Sequence, residues 1–141
     1  VRPEVWQRQR LPTVAEIEIV GKHEQADGIE LVGTMMATLK GVLIRRCRDG
    51  VRFVRRNRNV LIDSCHIYHN RRYGLVLERV NLHQMIVHGC HISYNPCGGV
   101  VILGGEVRNF QFCSNDVEYN YDPQIEGCAD VLIDMRDGTC R

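Results

Sequence analysis

The chain has 141 residues, 44% of them hydrophobic, and a formal net charge of +1. That length supports one domain with its own core, and the composition excludes an intrinsically disordered chain. No apolar run approaches the ~20 residues of a membrane span, so no membrane partner is expected, and the opening VRPEVWQRQRLP lacks the apolar stretch of a secretion signal.

Along the chain, residues 1–27 read as an amino-terminal segment in which PTVAEIEIVG, from Pro12 to Gly21, forms a partial first coil or a cap. From Gly28 onward a glycine-led strand recurs: GIELVG at Gly28, GVRFVR at Gly50, GLVLE at Gly74 and GVVIL at Gly99. A further copy, DVLIDM at Asp130, follows an insertion near 121–129, and residues 136–141 read as a tail. Between the glycine-led strands lie two shorter apolar segments, in the second unit Val60–Asp63 and His66–Tyr68. All are rich in β-branched residues and bounded by Gly, Asn, Asp or Arg, and no stretch sustains a helical period.

The same hexapeptide is nearly written twice: CHIYHN at Cys65–Asn70 and CHISYN at Cys90–Asn95. Steps of 23 and 25 residues align Val42, Cys65, Cys90 and Asn115; Leu39, Ile62, Val87 and Phe112; Ile44, Ile67, Ile92 and Val117; and Cys47, Asn70, Asn95 and Asn120. Strands this short bury no apolar face alone, but stacking one unit on the next does. A period of 22–25 residues with three strands per unit predicts an all-β, single-stranded parallel β-helix of about five coils across residues 28–135. In it the two hexapeptides are one corner of successive coils, and an inward asparagine can chain its amide from coil to coil.

NVLIDSCHIYHNRRYGLVLE and VRNFQFCSNDVEYN resemble the repeat of right-handed parallel β-helix proteins of the pectate-lyase-like superfamily. The right hand is implied by that resemblance, as is a carbohydrate-related role. The superfamily's polygalacturonase-type motifs (Asn-Thr-Asp, Asp-Asp, Gly-His-Gly, Arg-Ile-Lys) are absent from this sequence.

Alternation places three groups on the outside. The first is Asp63, His66, His88, His91, Asp116 and Glu118, of which Asp63, His88, His91 and Asp116 are the candidates for acid–base chemistry because imidazole and carboxylate exchange protons near neutral pH. The second is the arginine corner, Arg46, Arg48, Arg71 and Arg72. Nine arginines against two acids between Arg45 and Arg72 make it basic, and guanidinium forks match a uronate carboxylate. The third is an apolar stripe of Val54, Val76, Val101, Leu103 and Leu132, expected to be covered by a second subunit, by the segment around Trp6 or by another part of a longer chain. His69, Tyr94 and Tyr119 share a column and are expected to stack.

Expected partners are therefore an acidic polysaccharide or an acidic protein, with a homo-oligomer formed through the stripe or by head-to-tail stacking of the basic and acidic ends. Nucleic acid is not expected, since aromatics total 6% and none interleaves with the arginines. No metal motif is present among the seven cysteines and six histidines, and no cofactor is expected; calcium is the one ion an acidic glycan would call on, without a motif to hold it. Cysteine usage leans to a reducing, cytoplasmic setting, while the resemblance implies secretion. Two functional readings stand: a module that binds, and in its stronger form cleaves as a lyase or hydrolase, an acidic polysaccharide; or a non-catalytic structural or protein-interaction module.

Overall fold

The computed structural model describes residues 4, 8 and 11–140; Trp6, one of the expected covers, lies outside the described residues. Short β-branched segments give short strands: β1 (Thr13–Ala15), β2 (Glu18–Val20), β3 (Ile29–Val32), β4 (Thr38–Lys40), β5 (Leu43–Arg45), β6 (Val51–Val54), β7 (Arg56–Asp63) and β8 (His66–Tyr68). They continue as β9 (Tyr73–Glu78), β10 (Asn81–His88), β11 (His91–Ser93), β12 (Gly98–Cys113), β13 (Asp116–Glu118) and β14 (Val131–Cys140).

Every pairing is parallel, between one coil and the next. Strands β2, β5, β8, β11 and β13 form one sheet. Strands β3, β6, β9 and the first halves of β12 and β14 form a second face. Strands β1, β4, β7, β10 and the second halves of β12 and β14 form the third. Because β12 bends round the corner, the last two faces join into one nine-stranded sheet. The register is the one the repeat predicts: Leu39 pairs with Ile62, Ile62 with Val87, Val87 with Phe112, and Ile44–Ile67–Ile92–Val117 run up the other sheet. The column Ile29, Val51, Leu75, Val100, Val131 spans about four full turns, one fewer than the number of its strands.

Strand pairing continues past residues 28–135 at both ends. Strands β1 and β2 pair with β4 and β5, so residues 13–20 form a partial first coil. Strand β14 continues through the expected tail, pairing Gly138 with Gly105 and Cys140 with Val107. The tail is strand because the coil beneath it offers a free edge of backbone N–H and C=O groups, which favours continued pairing.

The inside is a stack of apolar columns. Leu39, Ile44, Ile62, Ile67, Leu75, Leu77, Leu82, Val87 and Ile92 are each at most 1% exposed. Each such side chain stabilises the coil by roughly 1.5–3 kcal/mol relative to exposure. The glycine at the head of each repeated strand is explained by the packing. A Cβ on Gly50 would lie 2.3 Å from Ile67 Cγ2 and 2.6 Å from the Gly74 carbonyl oxygen; Gly74 meets the equivalent Ile92 Cγ2 and Gly99 carbonyl oxygen one coil later, and Gly99 meets the Asp130 carbonyl oxygen and the Asn120 side chain.

The corners turn on single residues in the left-handed region. One column of such residues is Glu16, Gly41, Ser64, Gly89 and Ser114; another is Arg46, His69, Tyr94 and Tyr119, with φ between 52° and 61° throughout. A non-glycine residue there costs roughly 1–2 kcal/mol, so each corner needs compensating hydrogen bonds. The asparagine column supplies them at the second corner. Asn70 donates its backbone N–H (3.1 Å) and side-chain Nδ2 (3.0 Å) to Asn95 Oδ1, and Asn95 does the same to Asn120 Oδ1 (3.1 and 2.8 Å). Asp130 Oδ1 accepts both donors of Asn120 and ends the ladder.

Candidate functional site

The outward polar residues fall on two sides of the Ser64–Gly89 corner. On the β7–β10 side, His88 Nδ1 lies 3.2 Å from Asp63 Oδ1. On the five-stranded sheet, the register stacks His66, His91 and Asp116 in one column and Tyr68, Ser93 and Glu118 in the next. His91 Nε2 is 3.8 Å from Asp116 Oδ2 and 3.9 Å from Glu118 Oε1. The four residues expected to do chemistry therefore form two pairs, Asp63–His88 and His91–Asp116, on adjoining faces.

The arginine corner is engaged internally. Arg48 donates both arms of its fork to Asp27, at 2.8 and 2.6 Å, and Arg72 does the same to Asp49, at 2.9 and 2.5 Å. Asp49 is fully buried and also meets Arg52 at 3.2 Å. The guanidinium of Arg72 lies 4.7 Å over the Tyr73 ring. The hydrogen bonds to these carboxylates push both arginines further up from their ordinary range. Arg71 donates to the carbonyl oxygens of Arg46 (2.6 Å) and His23 (3.1 Å). Arg46 remains exposed at its left-handed corner. A fork already bridged to a carboxylate has few donors left for a ligand, so Arg48 and Arg72 act here as clamps between coils. Asp27 and Asp49 escaped the sequence reading, although an Asp-Gly ahead of each strand with an arginine 21 or 23 residues later is a signal that could have found them.

The apolar stripe, expected to be covered, is buried at its centre. Val76 is 1% exposed and Val101 is fully buried, although both stand apart from the inner core cluster. Val54, Leu103 and Leu132 are half-buried, so no continuous greasy stripe faces solvent. The expected aromatic column is present: His69 and Tyr94 stack at 4.9 Å and 15°, Tyr94 and Tyr119 at 5.4 Å and 12°.

A groove of about 450 Å³ lies along the corner where β9, β12 and β14 end their first face, lined by Glu78, Arg79, Leu103, Gly104, Asp134, Arg136 and Asp137. It forms because the register sets Glu78, Leu103 and Asp134 side by side, while β12 turns at Gly104 and Gly105, both with positive φ. The half-buried Leu103 thus floors a polar trough. Arg136 hydrogen-bonds Asp134 and holds its carboxyl down at about 2. Arg79 is three-quarters exposed and 3.9 Å from Asp137. None of the four expected catalytic residues lines this groove, and of the expected site residues only Leu103 does. Sequence reasoning missed it because its residues come from three coils and meet only through the register.

Parallel coils, inward apolar columns and an asparagine ladder define a β-solenoid of the β-helix class. The family model described as "Right handed beta helix region" matches residues 13–134, and the chain belongs to that family. No curated protein and no solved structure was found to match it.

Proposed function

We propose that this β-helix domain is a carbohydrate-related module that binds an acidic polysaccharide along the groove between Glu78 and Asp137. The observation that carries the reading is the groove's composition. Glu78 and Asp137 accept hydrogen bonds from sugar hydroxyls, Arg136 neutralises Asp134, and the exposed Arg79 meets a sugar carboxylate. Its open, trough-like setting on the flank of a stack of strands suits an extended chain. The arginine clamps, being occupied, support a binding role at Arg79 rather than at the corner first expected. Among the former candidates Arg46 and Arg71 are exposed; Arg71 is already bonded to two backbone carbonyls, which leaves Arg46 as a secondary contact.

The test is titration of the protein with uronate-containing and neutral oligosaccharides, each scored in parallel for new chain ends. The reading expects binding to the uronate series that weakens with salt and falls at least about tenfold in Arg79→Ala, the loss of one charge-assisted contact. Equal affinity for neutral and acidic chains, or none for either, would refute it. New chain ends would extend the role from binding to cleavage, with Glu78 and Asp134 the first residues to change.

A second reading, a protein-interaction module, is favoured by one feature. On the last coil Val131 and Ile133 are 47% and 55% exposed, whereas their counterparts Leu75, Leu77, Val100 and Ile102 are at most 2% exposed. That coil end offers an apolar surface and a strand edge to a partner.

A further inference from the structure

We propose that His91, Asp116 and Glu118 form a binding site for one divalent transition-metal ion of the zinc type, apart from the groove. The three side chains reach the same point from two coils, and one donor atom from each lies within 4.8 Å of the other two. The strand register dictates this. His91 stacks directly beneath Asp116, and Glu118, two residues on, projects from the same face.

The second observation is the state of the imidazole. His91 Nε2 is shielded from solvent and has no hydrogen-bond partner, even though the rest of the side chain is partly open. It points between two carboxylate oxygens at 3.8 and 3.9 Å, beyond hydrogen-bond reach of both. Two carboxylates held this close repel one another, and a shielded ring nitrogen left unbonded is costly. A cation at the centre relieves both.

The dimensions fit. Tetrahedral zinc with bonds of roughly 2.0–2.2 Å sets its donors roughly 3.3–3.6 Å apart, so side-chain shifts of about half an ångström would close the site. A neutral imidazole among the donors favours zinc and its neighbours over calcium or magnesium, which prefer all-oxygen shells. His66, one coil below with its ring 5.9 Å from that of His91, lies outside this group, so water completes the coordination.

The chain also carries cysteines, six of them free among the described residues, so the test must separate thiolate from imidazole–carboxylate binding. The chelator-treated, reduced full chain is titrated with Zn²⁺ by calorimetry, with Ca²⁺ and Mg²⁺ as controls, and Co²⁺ serves as a spectroscopic probe. The expected result is one saturable Zn²⁺ site, Co²⁺ d–d bands without a sulfur-to-metal charge-transfer band, and much weaker calcium binding. His91→Ala and the near-isosteric Glu118→Gln each weaken Zn²⁺ at least about tenfold, and Cys113→Ser does not. Both altered side chains point away from the apolar core, and unchanged circular dichroism confirms folding. Unchanged Zn²⁺ affinity in folded His91→Ala or Glu118→Gln, a thiolate band, or no saturable site would overturn the proposal.

Discussion

Replacing Asn95 by alanine removes the central rung of the asparagine ladder. Asn95 is fully buried. Its Oδ1 accepts from the backbone N–H and Nδ2 of Asn70, and its Nδ2 donates to the Ile67 carbonyl oxygen (3.1 Å) and Asn120 Oδ1 (2.8 Å). Alanine leaves four partners short of a bond. A buried group left unsatisfied costs ~1–3 kcal/mol, but the Asn70 amide can still reach the Ile44 carbonyl oxygen and water can enter the small cavity. The net loss should be about 3–5 kcal/mol, a large share of the 5–15 kcal/mol typical of a domain. The assay is urea unfolding followed by circular dichroism, comparing midpoints at constant slope. Asn95→Asp sets a second acceptor against the Ile67 carbonyl oxygen and Asn120 Oδ1 in a buried site, so near neutral pH it should lose at least as much as alanine. A loss under about 1 kcal/mol for Asn95→Ala, with the slope unchanged, would show that the ladder does not hold the coils together.

Three further outcomes follow from the same geometry. Asp49→Ala leaves the Arg72 fork and Arg52 without their shared buried anion and should destabilise by roughly 3–5 kcal/mol, measured by the same unfolding. Arg72→Lys, which lacks the fork, should lose less. Gly105→Ala would set a Cβ 2.4 Å from the Val80 carbonyl oxygen at φ +81°, so it should unfold the end coil or fail to express. Gly127→Ala, at φ +76° with open space around it, should cost only about 1–2 kcal/mol. Asp134, held at about 2 by Arg136, should titrate near that pH by carboxyl NMR and rise toward the ordinary carboxylate range in Arg136→Ala, which removes the guanidinium but keeps the backbone N–H bond. Since the folded value is depressed, whatever the pair contributes is present above the ordinary carboxylate range and lost as pH falls through about 2.

The repeat was legible because a parallel β-helix writes its tertiary contacts into the sequence. Residues 23 or 25 apart touch, so Ile62, Val87 and Phe112 could be aligned by counting alone, and the asparagine column followed from the same arithmetic. The sites were only partly legible. Alternation put His91, Asp116 and Glu118 on one face, but the shielding of Nε2 depends on ring orientation, which no spacing encodes. The arginines were visible, yet whether a fork is free depends on a carboxylate in the coil below, and Asp27 and Asp49 decide that for Arg48 and Arg72.

By itself, then, the sequence determined the solenoid, its period and the identity of its inward columns, since these rest on burial and on contacts between equivalent positions. The tertiary structure alone decided which outward residues were spent within the chain. Val76 and Val101 are buried although alternation sets them outward, and Glu78, Arg79, Asp134 and Asp137 gained a groove once β12 turned at Gly104 and Gly105. The reason is physical: inward positions are fixed by the period of the coil, whereas outward ones depend on corner direction and side-chain pairing, which vary from turn to turn.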